Sequence, residues 1–270
     1  MTDHYAVIGN PIAQSKSPLI HAAFARQLGH DLSYDALLAT PETFETVVRQ
    51  FIADGGCGMN VTAPFKLDAL ALSGRLSERA QAAQAVNTLS FTPEGIVGDN
   101  TDGVGLVNDI QDRIGLRLAG CRVLLVGAGG AARGVLLPLL QAGPADLLIV
   151  NRSPQKARAL ADNWATRYPV RAGGFELAGK QHFDVVINAT STGLSDAPLN
   201  LGDGLYAPGA LAYEMSYGRQ TPFMQEARRQ GVARITDGLG MLVGQAAESF
   251  RLWRGVLPDV LPVLQQLRQG

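Results

Sequence analysis

A glycine-rich turn provides a pattern that could bind a nucleotide. Gly127, Gly129 and Ala132 occupy the fixed positions of a G-x-G-x-x-A pattern, between the apolar run Arg122–Val126 and a helical pattern. The first glycine permits a tight turn, the second lets the backbone approach a pyrophosphate, and the small third residue lets helix and strand pack closely. Free N–H groups at the helix start favour phosphate. A tight turn without a ligand is the alternative, but the flanking strand and helix favour a dinucleotide site.

The end of the next apolar run indicates which dinucleotide binds. A site for NAD usually has Asp or Glu there, which binds the ribose 2′-hydroxyl. This chain instead has Asn151 followed by Arg152 and Ser153, with Lys156 close behind. An arginine can bind a 2′-phosphate through paired, charge-assisted hydrogen bonds. The alternative is that Arg152 is an ordinary solvated loop arginine. Because the expected acid is missing and basic residues are present instead, the sequence favours NADP.

Two polar loops in the N-terminal third could bind a second ligand. Ser15 and Ser17 lie at the start of a predicted helix, where two hydroxyls could bind a carboxylate. Taken alone, Ser17 is better interpreted as a simple N-cap. Asn60, Thr62 and Lys66 follow a predicted strand. Ligands of open α/β sheets lie at the carboxyl ends of strands. Lys66 could also be an ordinary exposed lysine.

Two further polar loops contain Asn87 and Asp102. Glycine and polar residues cluster around Asp102, and we predict that the chain crosses there into a second domain. Clefts between domains are favoured ligand sites. Together the loops offer hydroxyls, amides, one cation and one carboxylate, a set that suits a small polyhydroxylated acid. Their spacing does not identify the acid.

Short aliphatic runs alternate with longer amphipathic stretches, which is typical of an α/β fold with a mostly parallel sheet. The predicted strands are Tyr5–Ile8, Leu32–Leu38, Gly58–Val61, Val86–Phe91, Gly95–Gly98, Arg122–Val126, Leu147–Val150, Val185–Asn188 and Ala210–Glu214. The predicted helices are Pro18–Gly29, Pro41–Asp54, Pro64–Leu72, Val104–Ile114, Pro222–Gln230, Met241–Arg254 and Pro258–Arg268. The fourth and fifth strands could form a hairpin, and periodicity does not say on which domain the last two helices pack.

Composition excludes several classes of protein. The 270 residues have a formal net charge of −1, which offers no general electrostatic attraction for nucleic acid or an anionic membrane. The two cysteines and four histidines are scattered, so no metal site is predicted. No apolar run reaches the ~18 residues of a membrane span, and no signal peptide is apparent. We therefore expect a cytoplasmic protein with a small-molecule substrate.

Several of these motifs, in this order, resemble the shikimate dehydrogenase family, the bacterial NADP-dependent enzymes of the shikimate pathway. The resemblance extends from Tyr5 to near Gln266. Its most specific segments are Gly9–His21, Asn60–Lys66, Ala85–Thr88, Gly98–Gly103, Gly127–Gly134, Asn151–Ser153, Asn188–Gly193 and Asp237–Gln245. The family usually has Thr where this chain has Ser153, and both residues carry a hydroxyl.

The resemblance implies a two-domain α/β enzyme that reversibly reduces 3-dehydroshikimate to shikimate with NADPH, on the route to chorismate and the aromatic amino acids. An N-terminal substrate domain, residues 1–102, would be completed by C-terminal helices in residues 238–270. Residues 103–237 would form a Rossmann-type NADP-binding domain. A homodimer is left open.

The resemblance also implies roles for individual residues. Lys66 and Asp102 would form the catalytic pair. Substrate binding would involve Ser15, Ser17, Asn60, Thr62, Asn87, Tyr217 and Gln245. Cofactor binding would involve Glu78, Gly127, Ala128, Gly129, Gly130, Ala131, Asn151, Arg152, Ser153, Lys156, Ala189, Thr190, Met215 and Gly238.

Two other functions are weighed against this expectation. A quinate/shikimate dehydrogenase that uses NAD would tend to have an acid after the second strand of the nucleotide domain, where this chain has Asn151-Arg152-Ser153. A non-catalytic NADP-binding module would have lost Lys66 or Asp102, and both are present.

Overall fold

The structure is a computed structural model that describes residues 2–179, 181–190 and 199–269. The chain forms two compact units. The first consists of Met1–Gly105 with Leu242–Gly270, and the second of Leu106–Met241. Within these described residues, each unit contains one six-stranded sheet. The α/β fold class is confirmed.

The first unit has a mixed sheet with the strand order β2-β1-β3-β5-β6-β4. Its strands are β1 (Asp3–Gly9), β2 (Leu32–Leu38), β3 (Gly56–Val61), β4 (Arg75–Leu76), β5 (Thr88–Thr92) and β6 (Gly95–Asp99). Its helices before the crossing are α1 (Ser17–Leu28), α2 (Phe44–Ala53), α3 (Lys66–Leu72), α4 (Glu78–Ala83) and the start of α5 (Asp102–Asn108). Strand β1 pairs in parallel with β2 and β3, whereas β5 pairs antiparallel with β3 and β6. The predicted hairpin is confirmed as β5–β6.

The second unit has an all-parallel sheet with the order β12-β11-β10-β7-β8-β9. Its strands are β7 (Arg122–Val126), β8 (Asp146–Val150), β9 (Val170–Gly173), β10 (Phe183–Asn188), β11 (Tyr206–Glu214) and β12 (Arg234–Thr236). Its helices are α6 (Gly130–Gln141), α7 (Pro154–Asp162) and α8 (Pro222–Arg229). The order reverses between β7 and β10, the switch point at which open α/β sheets bind ligands.

Both faces of this second sheet are buried, which explains its nearly continuous apolar strands. Side chains alternate along a strand, so neighbours point to opposite faces. In β7, Val123 and Leu125 belong to one core, and Leu124 and Val126 to another. This double burial is why the run Arg122–Val126 could be predicted as a central strand.

The last two helices, α9 (Leu239–Arg254) and α10 (Val260–Gln269), follow the second unit in sequence. From Leu242 onward the chain belongs to the first unit. Trp253 of α9 stacks on Tyr5 of β1 with ring centroids 4.7 Å apart. Its indole N–H donates to the carbonyl oxygen of Leu89 at 3.1 Å. Glu248 accepts from Arg79 at 2.7 Å.

Most helix starts differ from the prediction by one to three residues. Helix α1 begins at Ser17 with Lys16 at the cap position, so Ser17 is not the N-cap. Helices predicted from Pro41 and Pro64 begin later, at Phe44 and Lys66, because each proline opens a turn rather than the helix. The predicted helix over 104–114 is α5 followed by the π-helical segment Asp109–Arg113.

Among the described residues, no helix is long and apolar enough to cross a membrane. The same residues contain no group of three His, Cys, Asp or Glu side chains arranged to hold a metal ion.

Candidate active site

An ion pair lies where two strands of the first unit end. Lys66 is the first residue of α3, five residues after β3, and Asp102 is the first residue of α5, three residues after β6. The Lys66 Nζ lies 2.6 Å from the Asp102 Oδ2. Their side chains are 34% and 17% exposed, so a small molecule can reach the pair while the protein still holds it. An ammonium and a carboxylate in such contact can polarise and protonate a carbonyl oxygen.

Asn87 fixes the orientation of the Asp102 carboxylate. Its amide Nδ2 donates to Asp102 Oδ1 at 2.9 Å, which leaves Oδ2 for Lys66. The Asn87 Oδ1 in turn accepts from the backbone N–H of Thr101 at 2.9 Å and from the Thr88 hydroxyl at 2.8 Å. The amide of Gln245 joins this group, since its Oε1 lies 3.2 Å from Asn87 Nδ2. The ion pair between Lys66 and Asp102 is therefore held in place by a network of hydrogen bonds.

Asn60 belongs to the same network. Its Nδ2 donates to the Asn87 carbonyl oxygen at 3.2 Å and to the hydroxyl of Ser249, on α9, at 2.9 Å. The structure thus brings together five of the predicted residues of the first unit: Asn60, Lys66, Asn87, Asp102 and Gln245. Ser249, Thr88 and Thr101, the buried hydroxyls that link them, were not predicted as site residues.

The loop after β1 and the loop after β3 are joined by a hydrogen bond. The N–H of Asn10 donates to the carbonyl oxygen of Ala63 at 3.1 Å. A Cβ added at Gly9 would press on the Thr62 side chain, so glycine allows the close approach. Within the first loop, the Ser15 Oγ accepts from the Ser17 N–H at 3.3 Å. The hydroxyl-bearing loops predicted to bind one ligand are therefore neighbours.

The glycine-rich turn of the second unit leaves an open face. Gly127 has φ +116°, a conformation that favours glycine. A Cβ added at Gly129 or Gly130 would meet nothing within 4 Å, so space is present above the start of α6. Ala132 is fully buried against the sheet, as the pattern predicts. These features fit a pyrophosphate at a helix N-terminus.

The turn after β8 exposes positive charge. Asn151 donates from Nδ2 to the Ser153 carbonyl oxygen at 3.1 Å and so closes the turn. Arg152 and Lys156 are exposed, and neither forms an ion pair within the described part of the chain. No carboxylate follows β8 before α7 begins. The residues present therefore fit NADP, with its 2′-phosphate, better than NAD.

The loops after β10 and β11 are held by a buried carboxylate, Glu214. Its two oxygens accept from Asn188 Nδ2 at 2.7 Å, from the Ser216 hydroxyl at 2.8 Å and from the Thr221 hydroxyl at 2.9 Å. This arrangement fixes the chain just before Met215 and its neighbours. The sequence indicated only a buried strand end at Glu214.

Four predicted cofactor residues gather beside Glu214. The Met215 N–H donates to the Asn188 carbonyl oxygen at 3.0 Å, which places Met215 next to Ala189 and Thr190. A Cβ added at Gly238 would overlap the Met215 carbonyl oxygen, so only glycine fits. Tyr217 follows in the same loop and is 38% exposed. Of the motif Asn188–Gly193, the residues Ser191, Thr192 and Gly193 lie outside the described residues.

Glu78 stands apart from the other predicted cofactor residues. It is an exposed residue in the first turn of α4, in the first unit. All other predicted cofactor residues lie in the second unit. Its contribution to nucleotide binding stays a prediction.

A relative named shikimate dehydrogenase (NADP(+)), from Dechloromonas aromatica, is 56% identical to this chain over 270 residues, which covers 99% of the chain and 98% of the relative. The chain belongs to the shikimate dehydrogenase family. Three family models match it in order. They describe a shikimate dehydrogenase substrate binding domain over 7–89, a shikimate/quinate 5-dehydrogenase over 109–195 and a shikimate 5′-dehydrogenase C-terminal domain over 238–268.

Solved structures of similar proteins agree with this family assignment. An Ael1 enzyme from Pseudomonas putida is 49% identical, with a TM-score of 0.93 and 98% of each chain covered. A shikimate 5-dehydrogenase from Thermus thermophilus, in complex with NADP(H) and shikimate, is 33% identical, with a TM-score of 0.86 and 99% of each chain covered. The shikimate dehydrogenase fold thus extends over the whole chain.

His21, on α1, is buried beneath the first unit's polar network. Its ring stacks on Tyr34 at 4.2 Å and meets the edge of Phe24 at 6.1 Å. Burial lowers the pKa of His21 from 6.5 to about 3, because the charged ring cannot be solvated there. The imidazole is therefore neutral in the folded protein at neutral pH.

Because His21 is buried, we expect the wild-type protein to lose folding stability in acid. The variant His21→Phe should not show this loss. Between pH 6.5 and 3 the unfolded chain binds a proton at His21 that the folded chain does not, so stability falls as pH falls through that window. At about 1.4 kcal/mol per pH unit, the free energy of unfolding lost through His21 reaches about 2 kcal/mol by pH 5. Urea unfolding of the wild-type protein and of His21→Phe, each at pH 7 and pH 5, measures this loss.

Phe24→Leu is the matched control, since it disturbs the same cluster without removing a titratable group. It should lower stability equally at both pH values. An unchanged pH dependence in His21→Phe would show that His21 is not the group responsible.

Proposed function

We propose that this protein catalyses the reversible reduction of 3-dehydroshikimate to shikimate with NADPH, on the route to chorismate and the aromatic amino acids. The observation that carries the proposal is the accessible ion pair between Lys66 and Asp102, held by Asn87. Membership of the shikimate dehydrogenase family and the NADP-type turn after β8 support it. The relative from Dechloromonas aromatica carries the NADP(+) name, and the Thermus thermophilus protein holds NADP(H) and shikimate.

In this proposal the first unit binds the substrate, and this role is assigned to residues 1–102 and 238–270. Ser15 and Ser17 bind the substrate carboxylate. Asn60, Thr62, Asn87, Asp102 and Gln245 contact the ring hydroxyls. Tyr217 is also assigned to substrate binding. The tie between the serine loop and the Thr62 loop supports one shared ligand for both.

Reduction of a ketone adds a hydride to the carbonyl carbon and a proton to its oxygen. Bound NADPH supplies the hydride, and its chemistry belongs to the cofactor. Lys66 donates a hydrogen bond from Nζ to the carbonyl oxygen and delivers the proton as the alcohol forms. In the reverse direction the same nitrogen accepts the proton. Asp102 holds the Lys66 nitrogen in place and can share the proton.

Residues 103–237 bind NADP in this proposal. Gly127, Ala128, Gly129, Gly130 and Ala131 cradle the pyrophosphate, and the turn with Asn151, Arg152, Ser153 and Lys156 binds the 2′-phosphate. Ala189, Thr190, Met215 and Gly238 line the nicotinamide, with Tyr217 beside them. The open face of the turn and the exposed bases after β8 support these roles. A homodimer and a cytoplasmic location stay predictions.

A comparison of two substrates with two cofactors tests the proposal against its NAD-using alternative. Steady-state kcat/KM is measured for shikimate and quinate, each with NADP and with NAD. Shikimate with NADP should exceed each other pair by about tenfold or more, the size of one charge-assisted contact. Quinate with NAD as the best pair would identify the quinate/shikimate enzyme instead. NADP binding without turnover of either substrate would favour the non-catalytic module.

A further inference from the structure

Glu214 and Asn188 end the neighbouring strands β11 and β10. They are register partners in the parallel pairing of these two strands. Glu214 is fully buried and Asn188 is 1% exposed, so neither side chain can turn to solvent for a hydrogen bond. Polar groups buried in this way need their partners within the protein.

Both oxygens of the Glu214 carboxylate face N–H donors that cannot be reversed. Oε2 accepts from Asn188 Nδ2 at 2.7 Å, and Oε1 accepts from the backbone N–H of Ser216 at 3.0 Å. The Asn188 amide is fixed because its Oδ1 accepts from the backbone N–H of Thr190 at 3.1 Å, and a backbone N–H only donates. The hydroxyls of Ser216 and Thr221 add one donor to each oxygen, at 2.8 and 2.9 Å. The site therefore requires an acceptor at both ends, which a carboxylate supplies and an amide does not.

On the β10 side, Asn188 links Glu214 to the loop that follows the strand. The Asn188 Oδ1 accepts from the N–H of Thr190 at 3.1 Å and from its hydroxyl at 2.7 Å. Ala189 lies between these two residues, so its backbone is held as well. Ala189 and Thr190 are two of the residues proposed to line the nicotinamide.

On the β11 side, Glu214 holds Ser216, which in turn contacts Gly238. The Ser216 carbonyl oxygen accepts from the N–H of Gly238 at 3.0 Å. Met215 lies between Glu214 and Ser216, and a Cβ added at Gly238 would overlap the Met215 carbonyl oxygen. Met215 and Gly238 are the other two residues proposed to line the nicotinamide. One buried carboxylate thus stabilises both sets of residues.

We propose that Glu214 is a positioning residue, whose carboxylate holds the loops after β10 and β11 in the arrangement that aligns the nicotinamide for hydride transfer. Glu214 itself touches neither cofactor nor substrate, since its side chain is fully buried and both oxygens bind protein donors. This inference rests on the proposed function, because it needs a nicotinamide at these loops. A displacement of about 1 Å at the reacting atoms can lower a rate about 10²-fold.

Glu214→Gln tests the role because it keeps the size of the side chain and replaces one acceptor by a donor. In either orientation the new Nε2 faces an N–H, that of Asn188 or that of Ser216, so one loop is displaced. The rate of NADPH formation from shikimate in a single turnover, measured by rapid mixing, should fall about tenfold to 100-fold. Adenosine 2′-phosphate, which contains no nicotinamide, should bind within about twofold of the wild-type affinity in calorimetry. A general loss of structure in the second unit would weaken that binding too.

Glu226→Gln is the matched control. Glu226 lies on α8 in the same unit, its side chain is 39% exposed, and it accepts from Arg229 and Gln230. None of these three residues is proposed to contact the cofactor. The single-turnover rate and the affinity for adenosine 2′-phosphate should both stay within about twofold of the wild-type values.

A double variant that combines Glu214→Gln with Asn188→Asp tests whether Glu214 acts through Asn188. The introduced amide nitrogen donates to the introduced carboxylate, whose other oxygen still accepts from Thr190. The introduced amide oxygen keeps the two donors of Ser216, and the Thr221 hydroxyl can turn to accept. The double variant should recover a single-turnover rate within about threefold of the wild-type rate. Asn188→Asp alone should be slow, because it places two carboxylates in contact.

Ser216→Ala is a milder variant that applies even if Glu214→Gln does not fold. It removes one hydroxyl donor and leaves the backbone N–H of Ser216 on the Glu214 carboxylate. The single-turnover rate should fall about threefold or more, the factor for one neutral hydrogen bond, with unchanged binding of adenosine 2′-phosphate.

A wild-type rate in folded Glu214→Gln or in Ser216→Ala would overturn the inference while the wild-type activity stands. A double variant no faster than Asn188→Asp would do the same. An equal loss of adenosine 2′-phosphate binding in these variants would make Glu214 a structural residue of the whole unit instead. A wild-type protein that forms no NADPH from shikimate would remove the proposed function, and this inference with it.

Discussion

Lys66→Ala should lower kcat for shikimate oxidation by about 10²-fold or more, the usual size of a general acid–base contribution. Lys66 Nζ is the cation of the ion pair with Asp102, and no other cation of the described residues pairs with that carboxylate. Alanine leaves Asp102 held by Asn87 but removes the group that exchanges the proton with the substrate oxygen. Shikimate affinity should fall much less than kcat. Steady-state kinetics at saturating NADP measure both.

Arg49→Ala is the matched control for Lys66. It breaks the exposed ion pair with Glu45 on α2, in the same unit, where the Arg49 side chain is 63% exposed. Surface pairs of this kind contribute about 0–1 kcal/mol, so kcat should not change. A Lys66→Ala variant with normal kcat and a raised KM would make Lys66 a binding residue and not the proton carrier.

Arg152→Ala should raise KM for NADP by about 10-fold to 100-fold, which corresponds to charge-assisted hydrogen bonds worth about 1.5–3 kcal/mol. Arg152 is exposed after β8, beside a turn that Asn151 closes, and the described residues give it no acidic partner. It is therefore free to bind a phosphate. NAD lacks the 2′-phosphate, so the weak activity with NAD should hardly change.

Arg122→Ala controls for the loss of positive charge alone. Arg122 lies at the amino end of β7, opposite the edge at which the glycine-rich turn begins, and pairs with Asp184. Its loss should leave KM for both dinucleotides unchanged. If Arg152→Ala weakened NADP and NAD equally, the assignment of the 2′-phosphate to Arg152 would be wrong.

The parts of the fold that followed from the sequence are those with a strong local pattern. The run Arg122–Val126 is apolar at every position after the first, because both faces of β7 are buried. The hairpin around Pro93-Glu94 was predictable from its turn residues. The two-residue strand β4 and the three-residue strand β12 were missed, since such lengths show no periodicity.

Some residues of the candidate site could also be predicted from the sequence, whereas others could not. Lys66 and Asp102 could be singled out because charged residues follow strand ends, where open α/β sheets bind ligands. Ser249 and Glu214 gave no such signal. Their positions suit an ordinary strand or helix, and their importance lies in hydrogen bonds to residues that are distant in sequence or on other strands. Only the register of the sheet and the packing of α9 reveal them.

Formation of NADPH from shikimate tests the central claim most directly. The purified wild-type protein is mixed with shikimate and NADP, and NADPH is followed by its absorbance. The absorbance should rise at a rate proportional to protein concentration, and a mixture with Lys66→Ala should be slower by about 10²-fold or more. Protein that is folded and binds NADP, yet produces no NADPH from shikimate, would contradict the proposed reaction.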